Sequence, residues 1–225
     1  MMKVVFFLLT LIVTVASCYQ TPIDNTKPGI MKDIEIINLV KKNDVQEVTK
    51  ALEGGANVNA VDNNKRSLLL MATNNNQVEM IKLLVKHGAD VNQQADNLDS
   101  PFLYAGASGQ TEVVQLFLNN GARFDIFNRY FGSALIPACE RGHVETVRLL
   151  ANTKNYPVDH INRLGWTGLM EAIVLGDGSK KYQQIVQILK DAGARLNIPD
   201  HDGITPLQHA QNRGFKEIVN ILNDN

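Results

Sequence analysis

The side chains best able to do chemistry in this sequence are one interior cysteine and five histidines. Cys139 could act as a nucleophile only if a neighbouring base or cation stabilised its thiolate. The residues around it are mostly apolar, and there a thiol usually behaves as a small hydrophobic group. The histidines lack the spacing of known metal ligands, and they are His87, His143, His160, His201 and His209. We therefore predict no catalytic activity, no metal and no cofactor.

A second candidate is the segment Gly176-Asp177-Gly178-Ser179-Lys180, which is weakly similar to a phosphate-binding loop. Such loops hold phosphate oxygens with backbone N–H groups and a lysine. The segment lacks the preceding strand and the full spacing of that motif, so a longer turn between two helices is the alternative. We favour the turn, because the segment coincides with extra residues in a repeated pattern.

The elements that position these residues recur along the chain. Gly55-Ala56-Asn57-Val58-Asn59 has copies that begin at Gly88, Gly121 and Gly193, and a degraded copy spans residues 155–159. A second landmark, the predicted start of a helix, lies at Ile34, Ser67, Ser100, Ser133, Thr167 and Thr205. These starts are 33, 33, 33, 34 and 38 residues apart. Two landmarks in one register indicate a repeat architecture.

Each repeat carries the signals of two helices. Ser or Thr before an apolar segment caps a helix, and the following turn contains a glycine that can adopt a positive φ, as at Gly109, Gly142 and Gly214. The second helix has an apolar stripe that one repeat alone cannot bury. We expect neighbouring repeats to cover this stripe, so that Leu116→Ala costs about 2 to 5 kcal/mol.

This pattern resembles the ankyrin-repeat family, and Asp202-Gly203-Ile204-Thr205-Pro206-Leu207-Gln208-His209-Ala210 is nearest to its consensus. The resemblance implies an all-α solenoid of six helix-turn-helix repeats joined by hairpin loops. Its domain would span residues 33–225, with repeats at about 33–61, 62–94, 95–127, 128–161, 162–199 and 200–225. The first and last repeats have polar outer faces, as solenoid caps require.

The N-terminus has the pattern of an export signal. Lys3 precedes an apolar run of signal-peptide length that ends in small residues, so we predict a signal peptide over residues 1–17. Val15-Ala16-Ser17-Cys18 resembles the bacterial lipobox, which implies that Cys18 is lipidated. Ordinary cleavage near Ser17 is the alternative. In that family an Asp after the cysteine retains the protein in the inner membrane, and Tyr19 in its place implies the outer membrane.

Residues 18–32 are polar and contain Pro22, Pro28 and Gly29, which favours a flexible tether with a reach of about 20 Å. The whole chain carries 22 Lys and Arg against 23 Asp and Glu. Loss of Lys3 with the signal peptide makes this balance one unit more acidic. Such a chain lacks the basic footprint of a nucleic-acid-binding protein. We expect a protein partner, membrane attachment through the lipid anchor, and no nucleic acid.

The resemblance also implies a concave binding surface, built from the hairpin tips and the exposed faces of the first helices. Aromatic and Arg side chains dominate such interfaces, so we expect two central hairpins to carry most contacts, with Trp166 the first candidate. The alternative is that some of these rings, above all Phe131, pack one hairpin on the next. Carried over by register, the candidates are Arg66, Asp99, Phe127, Arg129, Tyr130, Ile161, Arg163, Leu164, Trp166, His201 and Ile204, with Asn74, Glu140 and Arg141 on the helices.

Export, a tether and a repeat array together favour a periplasmic protein-binding lipoprotein at the outer membrane. Lipid-anchored ankyrin proteins that resemble this chain occur beside secreted toxins. That likeness implies an immunity protein, which binds and neutralises a secreted antibacterial effector such as a type VI secretion lipase or phospholipase. The alternative is a scaffold or protective partner of a periplasmic enzyme such as catalase.

Overall fold

The structure, a computed structural model, describes residues 28–224, with side chains described from residue 33. The predicted signal peptide over residues 1–17, Cys18 and most of the predicted tether lie outside these residues. The last part of the predicted tether differs from expectation, because the first helix begins at Pro28 and not near Ile34. Proline suits a first helical position, since its missing N–H would have no partner there.

Twelve helices form six antiparallel pairs within residues 28–224, which confirms the predicted all-α solenoid. The first helices of successive pairs pack on one another in one layer, and the second helices do so in the other layer. No helix within these residues is both long and apolar enough to cross a membrane. The helices are α1 Pro28–Lys41, α2 Val45–Glu53, α3 Leu68–Asn74, α4 Val78–Lys86, α5 Pro101–Ala107, α6 Thr111–Leu118, α7 Leu135–Arg141, α8 Val144–Ala151, α9 Gly168–Val174, α10 Lys180–Asp191, α11 Pro206–Asn212 and α12 Lys216–Asn223.

The stripe on the second helices is buried between repeats, as predicted. Phe117 of α6 and Leu150 of α8 are fully buried, while Leu116 is only partly buried. We therefore expect the loss for Leu116→Ala to lie at the lower end of the range of about 2 to 5 kcal/mol, because a partly buried leucine loses less packing when it is shortened. Phe117 and Leu150 are the residues that hold adjacent repeats together in this region.

The predicted helix caps are present at four of the six starts. Ser67, Ser100, Thr167 and Thr205 each accept a backbone N–H of the first turn. The fourth repeat is different, because α7 begins after Ala134 without a side-chain cap. The Ser133 hydroxyl is buried beside the Tyr156 side chain but makes no hydrogen bond within the described residues.

Tyr156 supplies the missing cap from the degraded motif of the same repeat. Its hydroxyl accepts the backbone N–H of Leu135 at 3.1 Å, and its ring packs on Phe124 with the centroids 4.8 Å apart. Burial raises the pKa of this phenol to about 12, so it stays protonated. The other copies of the Gly-Ala motif have an alanine at this position, for example Ala56. The tyrosine that replaces it here therefore caps the N-terminus of α7.

Tyr156→Phe should lower the free energy of unfolding by about 1 to 3 kcal/mol, because it leaves the buried N–H of Leu135 without an acceptor. Tyr104→Phe is the matched control, since no hydrogen bond to the Tyr104 hydroxyl occurs within the described residues. Urea denaturation of both variants measures the difference. Equal stability of the two variants would show that the Tyr156 hydroxyl does not cap α7.

The five extra residues of the fifth repeat lie partly in a turn and partly in a helix. The connection from α9 to α10 spans residues 175–179, whereas the one from α3 to α4 spans residues 75–77. Helix α10 has 12 residues against 9 in α4. Because Gly176–Lys180 follows a helix and not a strand, the structure agrees with the longer turn and not with a phosphate-binding loop.

Candidate functional site

A groove runs along the concave side of repeats three to five, between the loops that precede α7 and α9 and the first helices α5, α7 and α9. We call it the central groove, and it encloses about 470 Å³. Its walls combine apolar and aromatic side chains with a few charged groups. The residues that matter below are Leu103, Tyr104, Tyr130, Ile136, Glu140, Leu164, Glu171 and Leu175.

Exposed apolar side chains concentrate around this groove. Tyr130, Leu164 and Leu175 line it and are 55%, 51% and 48% exposed. Phe131 and Ile161 are also exposed, on the same two loops. A cluster of large apolar groups left in water on one side of a soluble domain usually marks a contact surface.

Six of the predicted binding residues line the central groove, and their role in binding stays a prediction. Arg129 lies with its guanidinium carbon 4.8 Å from the centre of the Tyr130 ring and 3.9 Å from an Asp99 carboxylate oxygen. Arg141 Nη1 donates to the Ala107 carbonyl at 2.7 Å. The six are Asp99, Arg129, Tyr130, Glu140, Arg141 and Leu164.

Other predicted residues have side-chain partners in their own loop or in the next one. Phe127 stacks face to face on His160 with 4.1 Å between the ring centres, and His160 Nε2 donates to the Phe131 carbonyl at 2.7 Å. Arg66 forms an ion pair of 2.6 Å with Asp62 of its own loop. The Phe131 ring, for which hairpin packing was the main alternative, also lies 4.5 Å from the Phe127 ring and 5.2 Å from the His160 ring between centres. Phe127 and Phe131 therefore both pack on His160 of the next loop, and their role in binding stays a prediction.

The remaining predicted residues do not line the central groove. Ile161 and Arg163 are exposed on the loop before α9, and Asn74 is exposed at the end of α3. His201 is exposed and its ring lies against Gly165. Trp166 and Ile204 are half-buried beside the caps of α9 and α11. A binding role for these six residues, including Trp166, stays a prediction.

Three loop tips hold their residue in a left-handed conformation although it is not glycine. Lys65, Leu98 and Phe131 have φ values of 56°, 63° and 58°, whereas glycine fills the same position at Gly165 and Gly203. A side chain in this conformation costs roughly 1 to 2 kcal/mol. Leu98 and Phe131 are nevertheless apolar and exposed, and such strain at exposed positions is typical of contact surfaces.

Glu171 is the main groove residue that sequence reasoning missed. It lies in the middle of α9 and is only 6% exposed, although carboxylates are rarely buried without a partner. Its Oε1 accepts Asn162 Nδ2 at 2.7 Å, and Asn162 Oδ1 in turn accepts the backbone N–H of Leu164. A charged residue within the apolar run from Leu169 to Ile173 was the signal that could have identified it.

Burial, followed by the nearby Glu140 carboxylate, raises the pKa of Glu171 from 4.5 to about 7. The folded protein therefore holds this proton more tightly than the unfolded chain does. Stability linked to Glu171 is complete below pH 4.5 and is lost as the pH rises through 7.

Glu171→Gln should raise the free energy of unfolding by about 1 to 3 kcal/mol at pH 8, because glutamine avoids the buried charge. At pH 5 the variant and the wild type should be nearly equal. Glu145→Gln is the control, since Glu145 is exposed on α8 and pairs only with Arg148. Denaturant titrations at both pH values measure the difference, and the same gain at pH 5 and pH 8 would contradict an ionised Glu171 in the fold.

The candidate nucleophile and the histidines have structural positions. Cys139 is fully buried, and burial raises the pKa of its thiol well above the ordinary value. His209 Nε2 lies 2.7 Å from the Asp200 carboxylate, and the His143 ring packs against Gly109 of the preceding repeat. Among residues 33–224 no group of three or more His, Cys, Asp or Glu side chains could hold a metal ion.

Comparison with known proteins matches the repeats over most of the chain. A sequence profile described as ankyrin repeats in three copies matches residues 36–128 and again 125–200. The chain is 50% identical over 74 residues to a protein named as the ankyrin repeat protein YahD of Escherichia coli strain K12. That stretch is 33% of this chain and 36% of YahD, so it spans about a third of that relative.

Two solved structures are similar to this chain over more than four fifths of its length. An ankyrin repeat domain from Acinetobacter baumannii AYE has 45% identity and a TM-score of 0.82, covering 84% of this chain and 96% of the other. The ankyrin repeat protein EF0377 has 38% identity and a TM-score of 0.80, covering 83% and 95%.

Proposed function

The chain belongs to the ankyrin-repeat family, and from this premise we propose that it is a binding protein whose protein partner docks on the central groove. Ankyrin repeats are protein-interaction scaffolds, so binding of another protein is the general function that the fold implies. The proposal adds the place of docking and the role of the exposed side chains there.

The observation that carries the proposal is where the exposed apolar side chains lie. Tyr130, Leu164 and Leu175 line the groove, and Phe131 and Ile161 extend the patch along the same two loops. Burying such side chains against a partner is favourable by roughly 25 cal/mol per Å² of apolar surface. Both loops rest on packed helices, so the surface is formed before the partner arrives and little ordering entropy is lost on binding.

We further propose that the chain is exported and held at the outer membrane of a Gram-negative cell by a lipid on Cys18. The support is the sequence of the N-terminus, with its charged start, apolar run and lipobox-like end. The tether predicted over residues 18–32 lies mostly outside the described residues, and a flexible spacer there would hold the repeats away from the membrane surface.

Cys18→Ser in the full-length chain should remove the protein from the outer-membrane fraction, because the lipid on this residue is the outer-membrane anchor that the proposal supplies. The wild type should sediment with the outer membrane and carry the mass of a lipidated N-terminal cysteine. Cys139→Ser is the control and should leave the distribution unchanged. A wild-type chain found in the cytosol with residues 1–17 intact would contradict export.

The specific function we propose is that of an immunity protein, which covers a toxic effector delivered into the periplasm. Neutralisation in this way needs a rigid complementary surface and no chemistry, and the central groove supplies such a surface. Co-expression of the chain with a periplasmic lipase or phospholipase encoded beside it should restore growth. A variant without the exposed groove side chains should fail to do so, and growth arrest with the wild-type chain would contradict the immunity role for that effector.

The second candidate function is a scaffold or protective partner of a periplasmic enzyme such as catalase. It uses the same surface and the same anchor, so the neighbouring gene distinguishes the two. A toxin gene supports immunity, and a peroxide-detoxifying gene supports protection. In the second case the full-length chain should increase the lifetime of that enzyme's activity and should not inhibit it.

A further inference from the structure

The floor of the central groove holds a buried carboxylate that is only half satisfied. Glu171 is only 6% exposed. Asn162 Nδ2 donates to its Oε1 at 2.7 Å. No donor from residues 33–224 reaches its Oε2, which is not fully buried and faces the open space of the groove. A ligand that donates to this oxygen would replace water there and satisfy the second half of the carboxylate.

In the next repeat, the acidic side chain of the corresponding residue pair has a partner that can carry positive charge. Asp200 and His209 occupy the same two register positions as Asn162 and Glu171, nine residues apart in both pairs. There the acid lies 2.7 Å from an imidazole nitrogen that can carry positive charge. At Glu171 the register partner is a neutral amide, so the acid has no cation of its own.

The positive charge of Arg141 lowers the pKa of Glu171, but burial and the Glu140 carboxylate, which raise this pKa, have larger effects. The Glu140 side chain adds a second negative charge on the same side of the groove. Arg141 donates to the Ala107 carbonyl, and no ion pair within 4 Å joins Glu140 or Glu171 to a cation of residues 33–224. Glu140 and Glu171 are therefore acidic groups of the groove without an ion-pair partner among residues 33–224, and exposed apolar side chains line the same groove.

We propose that the central groove takes a lysine side chain of the partner protein, with the ammonium group at Glu171 Oε2 and beside Glu140. This inference rests on the proposed function, because it names the residue type by which a docked protein is recognised. The four-carbon stem of the lysine lies against Leu103, Ile136 and Leu164. The groove volume of about 470 Å³ is ample for one such side chain.

Lysine fits this site better than arginine does. A guanidinium binds a carboxylate best through two parallel hydrogen bonds, one to each oxygen. Asn162 already occupies one lone pair of Oε1 of Glu171, so a guanidinium that binds both oxygens would have to share Oε1 with the amide. An ammonium is a point charge with three donors, and it can serve Oε2 and the Glu140 carboxylate together.

The test is a titration of the full-length protein with the blocked amino acid Nα-acetyl-lysine methylamide, followed by NMR of the groove amides. Blocked norleucine, which keeps the stem without the nitrogen, and blocked arginine are the matched ligands. We expect blocked lysine to bind at least about tenfold more tightly than blocked norleucine, a factor that corresponds to roughly 1.4 kcal/mol. Blocked arginine should bind more weakly than lysine.

Glu171→Gln should weaken binding of blocked lysine at least about tenfold and leave binding of blocked norleucine unchanged. The variant keeps an oxygen for Asn162, and Glu145→Gln serves as the control with unchanged binding. Equal affinities for lysine and norleucine, no saturable binding of lysine, or lysine affinity that does not depend on Glu171 would each overturn the inference.

Failure of this inference is distinguishable from failure of the proposed function. If Glu171→Gln still captures the partner as strongly as the wild type, the lysine site is wrong and protein binding stands. If replacement of the exposed groove residues Tyr130 and Leu164 by alanine leaves partner capture unchanged, the proposed docking surface is wrong, whether or not blocked lysine binds.

Discussion

Leu150→Ala should lower the free energy of unfolding by about 2 to 5 kcal/mol, because it opens a cavity between stacked repeats. Leu150 is fully buried on α8, and α8 packs on α6, α7 and α10. The loss therefore falls on the contacts of the fourth repeat with both of its neighbours. Since repeats owe much of their stability to these interfaces, the unfolding transition should also become less cooperative.

Leu149→Ala is the matched control for this prediction. Leu149 is the neighbouring residue of the same helix and is only partly buried, so its shortening removes the same atoms with less loss of packing. Urea unfolding followed by circular dichroism compares the two. Equal losses for Leu149→Ala and Leu150→Ala would contradict the view that the buried stripe between repeats holds the solenoid together.

The double variant Tyr130→Ala, Leu164→Ala should weaken partner binding by about 2 kcal/mol or more per residue while the fold remains intact. Both side chains line the central groove and are more than half exposed, at 55% and 51%. They contribute little to folding and would become buried only when a partner docks. The partner captured by the full-length chain is titrated against wild type and variant, with the melting temperature as the test of folding.

Val61→Ala provides the control for that measurement. Val61 is also exposed, at 37%, but it lies before α3 and far along the chain from the central groove. It should bind the partner as the wild type does. A greater loss of affinity with Val61→Ala than with the double variant would place the contact surface in the first repeats.

The fold could be predicted from the sequence because each repeat carries its own local signals. Ser67, Ser100, Thr167 and Thr205 cap helices where a hydroxyl was expected, and Gly109, Gly142 and Gly214 have positive φ at the turns. These signals act within a few residues of the chain. Period and capping therefore locate most helix starts without knowledge of long-range contacts.

The errors occurred where a residue acts across the fold. Ser133 occupies a cap position, yet the cap comes from Tyr156, which is 21 residues away from the Leu135 N–H it accepts. For Phe127 the sequence left binding and hairpin packing open, and its ring stacks on His160 of the next loop. Residue type gives no information about such partners, because they meet only after the repeats stack.

The central groove was predicted in part for the same reason. The register placed Tyr130, Glu140 and Leu164 on the concave side, and the structure brings them together in the groove. Glu171 was missed because its position in the apolar run of α9 reads as core. Its hydrogen bond comes from Asn162, in the loop before α9, and its pKa is raised in part by Glu140, on α7.

The most direct test of the whole account is hydrogen–deuterium exchange of the full-length chain with and without its captured partner. The stacked repeats should keep their protected helices in both states. Partner binding should slow exchange chiefly in the loops and first helices over residues 128–141 and 162–175. Protection confined to the second helices, or to the first two repeats, would contradict docking on the central groove.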